Sequence, residues 1–230
     1  QDFLGGKSTA VQGKLGAPGL ATASGAPAPR GGAAQDALSA LANLGFGISA
    51  NVPRILMEEG LDGEVTWVIE QGPVGGFPVT GKAFGAAYNP DAIVASSDQF
   101  ILLQGGGIDI ALLSFMEVNA DGDVNVSLMP SATHVTAGVG GFADITAHAK
   151  HLVFSGQFTA GRKELKLGDG RLEIVQDGKI SKFVPQIAQI TWSGRVGNER
   201  GQHVLYVTER CVLELRADGP TVIEIAPGVD

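Results

Sequence analysis

The chain has 230 residues, 44% of them apolar and 17% charged, and a formal net charge of −8. That composition supports one domain with a sizeable core, plus a tail. The acidic balance excludes non-specific nucleic-acid binding, which needs Lys and Arg to neutralise phosphates, and no apolar run approaches the roughly 20 residues of a membrane span.

Residues 1–33 are rich in Gly, Pro, Ala and Ser, as in Gly16-Ala17-Pro18-Gly19 and Gly25-Ala26-Pro27-Ala28-Pro29. Such sequence has little to bury and reads as a flexible tail or linker. Lys7-Ser8-Thr9 follows Gly5-Gly6, but the phosphate-loop spacing is absent. The chain starts at Gln1 rather than Met, which predicts a fragment or a processed product. No basic start followed by an apolar block marks a signal peptide.

The ordered domain is placed at 34–230. Gln35–Leu44 is a short helical candidate leading into Asn43-Leu44-Gly45-Phe46-Gly47-Ile48, a buried strand or turn. Asn51 ahead of Pro53 predicts a helix that runs to Glu59 and stops at Gly60. Val65–Ile69 is an apolar, β-branched strand, followed by Glu70-Gln71-Gly72-Pro73-Val74-Gly75-Gly76. Asn89-Pro90-Asp91 is a second helix-start signal. Gly105-Gly106-Gly107 breaks the chain before an apolar strand, Ile108–Ser114. Asp121-Gly122 predicts a hairpin between Phe115–Val118 and Asp123–Val126. Gly138-Val139-Gly140-Gly141 leads into a helix at Phe142–His148, and His151–Ser155 follows as a buried strand. Asp169-Gly170 and Asp177-Gly178 divide Lys163–Leu167, Leu172–Gln176 and Ile180–Val184 into an antiparallel meander. His203–Thr208 is a strand, and Val212–Leu215 with Thr221–Ile225 a final hairpin. The sum is an α/β fold: an open, largely parallel sheet flanked by helices, with added antiparallel hairpins in the C-terminal third.

Glu70 is the candidate of most interest. A carboxylate that ends a strand and enters a glycine turn is poorly placed for a core. It is well placed to project from the carboxyl edge of a sheet, where open α/β folds bind ligands. A solvated loop glutamate has the same local signature, so this window leaves both roles open. Gly138-Val139-Gly140-Gly141 also has two readings. Amides opening a helix can hold a phosphate or a developing oxyanion, and a tight turn made for packing fits the same spacing. Gly105-Gly106-Gly107 reads as structural.

His148 and His151 sit three apart with no Cys and no second pair, so no metal site is expected. His134 lies just ahead of the glycine loop and could approach the site, but a surface or structural role is the simpler reading. No Gly-x-Ser-x-Gly elbow occurs. Asp144, in the first turn of its helix, suits the dipole, and Glu58-Glu59 is a solvated helix end. Glu209-Arg210 can pair internally or meet a partner chain. Cys211 is the sole cysteine and reads as a small core residue. With no disulfide available within the chain, a reducing compartment is expected: the cytoplasm, with the mitochondrial matrix as the alternative.

Several stretches, in order, resemble the family I coenzyme A transferases. They are Asn43-Leu44-Gly45-Phe46-Gly47, Ile69-Glu70-Gln71-Gly72-Pro73-Val74-Gly75-Gly76, Gly105-Gly106-Gly107-Ile108-Asp109-Ile110-Ala111 and Asp121-Gly122-Asp123-Val124-Asn125-Val126-Ser127. Gly138-Val139-Gly140-Gly141-Phe142-Ala143-Asp144-Ile145, Phe158-Thr159-Ala160-Gly161, Tyr206-Val207-Thr208-Glu209-Arg210 and Ile225-Ala226-Pro227-Gly228 complete the series. The similarity covers roughly residues 40–230. It is to the glutamate-bearing, beta-type half, as in the C-terminal half of fused enzymes acting on acetate, propionate, butyrate or acetoacetate.

The resemblance implies a CoA-transferase/NagB-like fold and a ping-pong exchange through a glutamyl-CoA thioester on Glu70. It implies that Gly138, Gly140 and Gly141 supply oxyanion amides, and that Gly45, Gly47 and Gly72 belong to the acyl pocket. CoA enters as a substrate, and no other cofactor is implied. The implied partners are acyl-CoA, a short-chain carboxylate and a complementary alpha-type half in cis or trans, in a homo-oligomer of the full assembly. Arg162 stands where a second Gly is usual and Gln71 where a small residue is common. Two alternatives accompany this reading: a CoA-binding remnant or half-enzyme inactive without its partner half, and a CoA-ester hydrolase.

Overall fold

The computed structural model describes residues 40–45, 47–129 and 138–229. The 1–33 tail, the Lys7–Thr9 segment, the boundary near Ala34, Phe46 and His134 lie outside them. The first strands are β1 (Ala40–Leu44), β2 (Val65–Val68), β3 (Pro73–Val74), β4 (Phe77–Pro78), β5 (Ala87–Tyr88) and β6 (Ala92–Ile93). Helix α1 (Val52–Glu58) joins β1 to β2, and α2 (Ser96–Gln104) follows β6. Next come β7 (Ile110–Ser114), β8 (Glu117–Val118), β9 (Val124–Asn125), α3 (Phe142–His148) and β10 (His151–Ser155). The chain continues with β11 (Thr159–Ala160), β12 (Glu164–Gly168), β13 (Arg171–Gln176) and β14 (Ile180–Ser181). It closes with α4 (Gly194–Glu199), β15 (His203–Val207), β16 (Cys211–Arg216) and β17 (Gly219–Ile225).

One sheet organises the molecule, in the order β17-β16-β15-β10-β7-β1-β2-β3-β6. Its inner strands β15, β10, β7, β1 and β2 are all parallel. Parallel strands need covered faces on both sides, and the side chains alternate accordingly. Ala111, Leu113, Leu152 and Phe154 pack with Leu103 of α2 and Phe142 and Ile145 of α3. Ala42, Leu44, Trp67 and Leu112 face the other way, against Val52 and Leu56 of α1. Each fully buried large apolar side chain contributes about 1.5–3 kcal/mol. Burial also pushes the Tyr206 hydroxyl well above the ordinary tyrosine range, and it donates to Gly122 O at 2.6 Å, tying the β8–β9 turn to the core. Cys211 is buried as a core residue, and burial raises its thiol. Among the described residues no helix is long and apolar enough to cross a membrane.

The open, largely parallel sheet with C-terminal hairpins is present; three local expectations need correction, and one helix was not foreseen. Within the Gln35–Leu44 helical candidate, residues 40–44 form a strand. β1 is paired on both sides, with β2 and β7, and two ladders override the helical preference of its Ala and Leu residues. Asn89-Pro90-Asp91 starts no helix: Asn89 turns at φ +47, and Asp91 N–H donates to Val74 O at 2.9 Å. The next residues therefore pair with β3 as an edge strand, and α2 begins only at Ser96. Helix α4 had no sequence signal, because Gly194 and Gly197 are poor helix formers. They serve close packing instead: a Cβ on Gly197 would collide with the Trp192 indole.

The expected three-stranded meander is the third correction. β12 pairs β13, but β14 leaves to pair with β11. Arg210 explains the departure. It is buried, stacks over the Phe158 ring at 4.9 Å and pairs with Glu209 at 3.1 Å. It also grips Asp177 at the bend, with Nη1 to Oδ2 at 2.9 Å, so Glu209-Arg210 is an internal pair. The hydrogen bonds from Arg210, then Thr159, hold the Asp177 carboxyl far below the usual range. The folded value thus lies below the unfolded one, near 3.9. The stabilisation is present above that pH and is lost as pH falls through the depressed folded value. Asp177 is nearly half exposed, so screening holds the effect to about 1 kcal/mol. We expect Asp177→Asn to lower the unfolding midpoint at neutral pH, with the deficit shrinking progressively as pH falls below the unfolded value of about 3.9 toward the depressed folded value. A pH-independent deficit in thermal unfolding would count against this ion pair.

Candidate active site

Within the parallel core the strand order is β2-β1-β7-β10-β15. The winding reverses between β1 and β7, and open α/β folds place their ligand crevice at the carboxyl ends of such a switch. Gly45 and Gly47 sit there. Gly45 N–H donates to Leu112 O at 2.7 Å. Gly47 has φ +126, and a Cβ on it would stand 3.0 Å from Ser114 Cβ.

Glu70 leaves the sheet at the carboxyl end of neighbouring β2. Ile69 is buried and Glu70 half-buried, so the chain passes from the core to the carboxyl edge of the sheet in one residue. The turn closes on its own backbone: Ile69 N–H donates to Pro73 O at 3.0 Å and Gly72 N–H to Ile69 O at 2.8 Å. Gly72 has φ +122, and a Cβ there would collide with the Val94 carbonyl oxygen. Glycine alone satisfies both constraints. Gly72→Ala is expected to lose about 1–3 kcal/mol in urea unfolding. An unchanged midpoint would show that the turn has room.

Two donors hold the Glu70 carboxylate. Oε2 accepts from Gly141 N–H at 3.1 Å, and Oε1 from Gln71 Nε2 at 3.2 Å. Gly140 has φ +52, and a Cβ on it would stand 3.3 Å from Oε1. The structure therefore brings Glu70 and the Gly140-Gly141 pair together and places Gly45 and Gly47 on the adjoining strand end. Gly138 is exposed, and a Cβ there would meet nothing within 4 Å. Gly105-Gly106-Gly107 lies at the opposite edge of the sheet. It closes α2 through Gly105 N–H to Ile101 O and Gly107 N–H to Leu102 O, both 2.9 Å, in keeping with a structural role. Asp144 accepts from Gln104 Nε2 at 2.7 Å. Among the described residues no group of three or more His, Cys, Asp or Glu side chains could hold a metal ion.

Sequence reading missed the underside of this site. Ser96 Oγ donates to Glu70 O at 3.2 Å, Gln99 Nε2 donates to Ile69 O at 3.1 Å, and a Cβ on Gly141 would collide with the Phe100 ring. The available signal was their spacing, which puts all three on one face of α2.

No family model matches the sequence. Over 191 residues the chain is 42% identical to an acetate CoA-transferase of Escherichia coli O157:H7, covering 83% of this chain and 35% of that protein. It is 41% identical over 192 residues to a caffeate CoA-transferase of Acetobacterium woodii, covering 83% and 36%. A crystal structure of the acyl-CoA transferase of Escherichia coli O157:H7, a thioester complex with CoA, superposes with a TM-score of 0.76 at 41% identity, over 84% of this chain and 36% of that one. The chain belongs to the family I coenzyme A transferases. It spans about a third of the length of the curated relatives it matches. The largely parallel sheet with its flanking helices matches the CoA-transferase fold.

Proposed function

We propose that this chain carries the nucleophile of a CoA transferase that moves CoA between a short-chain acyl-CoA and a carboxylate, with Glu70 in that role. The observation that carries this reading is the hydrogen bond from Gly141 N–H to Glu70 Oε2. A carboxylate projects into the crevice with a backbone donor already on one oxygen. A chain 41% identical holds a CoA thioester in its crystal structure.

In the proposed reaction a Glu70 carboxylate oxygen attacks the acyl-CoA carbonyl carbon. The C–S bond breaks, CoA leaves as thiolate, and an acyl–glutamyl anhydride forms. The thiolate then attacks Cδ of Glu70. The Cδ–O bond to the acyl group breaks, the first carboxylate departs, and a glutamyl-CoA thioester remains. A second carboxylate reverses both steps and leaves with CoA. Covalent catalysis divides one difficult exchange into easier ones. One carboxylate replaces another, so the exchange is close to thermoneutral.

Each addition places negative charge on a carbonyl oxygen. Gly141 N–H is positioned for the oxygen that begins as Oε2, and one such donor is worth about 3–4 kcal/mol in a transition state. Gln71 supplies a second donor on Oε1. Gly140 contributes by lacking a Cβ beside the carboxylate. Gly45, Gly47 and Gly72 keep the approach open for the acyl group and the thiol. The relatives are much longer than the aligned segment, so the activity is proposed for an assembly including an alpha-type part, in cis or in trans, as a homo-oligomer.

The test is intact-mass spectrometry after incubation with acetyl-CoA and with butyryl-CoA, with and without a candidate alpha-type part. A CoA-sized adduct mapped to Glu70 is the expected result. CoA binding without any adduct in the complemented assembly would favour the non-catalytic reading. Adduct formation with free acid and CoA released without an acceptor would favour the hydrolase.

A further inference from the structure

We propose that Gln99 is the positioning residue that sets Glu70 against the Gly141 amide, with helix α2 as the rigid spacer between them. The inference rests on the proposed role of Glu70 and goes beyond it by naming what fixes the geometry.

Glu70 and Gly141 are 71 residues apart in the chain, and among the described residues no strand ladder joins the turn after β2 to the loop before α3. Both nevertheless attach to the same nine-residue helix. At its first turn Ser96 Oγ donates to Glu70 O at 3.2 Å. One turn on, Gln99 Nε2 donates to Ile69 O at 3.1 Å and reaches Pro73 O at 3.5 Å. These carbonyls bracket the turn that presents Glu70. Toward the other end, the Phe100 ring fills the space beside Gly141 Cα, and Gln104 Nε2 donates to Asp144 Oδ1 of α3 at 2.7 Å. One helix thus grips both partners of the carboxylate–amide bond.

The chemistry of position 99 fits this task better than a packing role. Gln99 is 1% exposed, and a buried amide is costly unless it is hydrogen-bonded. A leucine or methionine would fill the same volume, as Leu103 does one turn later on the same face. A glutamate would turn an acceptor toward two carbonyl oxygens. A glutamine is the long neutral side chain whose donor end can meet both carbonyls from inside the core. Reacting groups held to within a fraction of an ångström are what such a clamp secures, and a 1 Å misplacement costs roughly 100-fold in rate.

The test uses Gln99→Met, which keeps volume and removes the donor, and Leu103→Ala as the control for lost helix packing. The first readout is the Gly141 amide proton shift in the full chain, with Glu70→Ala defining the position of the broken bond. Gln99→Met is expected to move the Gly141 resonance toward that of Glu70→Ala, and Leu103→Ala to leave it in place while lowering stability at least as much. The second readout is single-turnover formation of the Glu70–CoA adduct in the complemented assembly. Gln99→Met is expected to slow it about 100-fold with little change in the acyl-CoA concentration for half-saturation. If the Gly141 resonance stays put in Gln99→Met, or moves equally in Leu103→Ala, the positioning role is overturned. The amide readout needs no turnover, so absence of an adduct in the wild type would remove the reaction reading and leave this test standing.

Discussion

Glu70→Ala is expected to abolish the covalent CoA adduct and to lower transferase activity of the complemented assembly by about 10⁴-fold or more, the scale of losing a covalent nucleophile. The side chain is half-buried at the crevice and outside the hydrophobic core, so the fold should survive, which circular dichroism and the unfolding midpoint would verify. Glu70→Asp should be nearly as damaging. It keeps the charge but withdraws the carboxylate by about one C–C bond, ~1.5 Å. The oxygen now 3.1 Å from Gly141 N–H then loses its donor, and the attacking oxygen no longer reaches the thioester carbon. Ping-pong turnover that persists at full rate in Glu70→Ala would end the proposal.

Gly141→Ala is expected to lower kcat by roughly 10²–10³-fold, the cost of losing one oxyanion donor. This variant is unusually informative because Gly141 sits at φ −81 and ψ 10, outside the left-handed region that favours glycine. Backbone strain therefore does not confuse the result, as it would at Gly140. The damage comes from the added methyl alone. It would meet the Phe100 ring and stand 2.7 Å from Glu70 Oε2, closer than carbon and oxygen approach without bonding. The amide must swing away from the carboxylate or the carboxylate from the amide. A variant that turns over like the wild type would show that another group holds the oxyanion.

The parts of this site that could be read from the chain are those with local signatures. Val65–Ile69 is a β-branched run, Gly72 sits in a glycine–proline turn, and Phe142–His148 follows a glycine cluster. Each element formed where its own residues favour it. The family resemblance paired Glu70 with Gly138–Gly141; in the structure Glu70 Oε2 accepts from Gly141 N–H, and Gly138 stands apart. Ser96, Gln99 and Phe100 escaped notice. Their roles depend on which carbonyls and which loop α2 lies against, and a helix sequence does not state that. Arg210 is similar: its partner across the fold, Asp177, sits in what reads locally as an ordinary Asp-Gly hairpin turn.

By itself the sequence determined the α/β class, the strand that delivers Glu70 and the glycine loops that can approach a ligand. These follow from period-two burial, β-branching and positive-φ turns, all short-range properties. Tertiary structure alone decided that residues 40–44 become a doubly paired central strand, that β14 abandons the meander, and that Glu70 Oε2 lies 3.1 Å from an amide 71 residues away. The reason is physical: hydrogen-bond ladders and buried polar contacts between distant segments outweigh local preferences of a few tenths of a kcal/mol per residue, and only the assembled sheet brings those segments together.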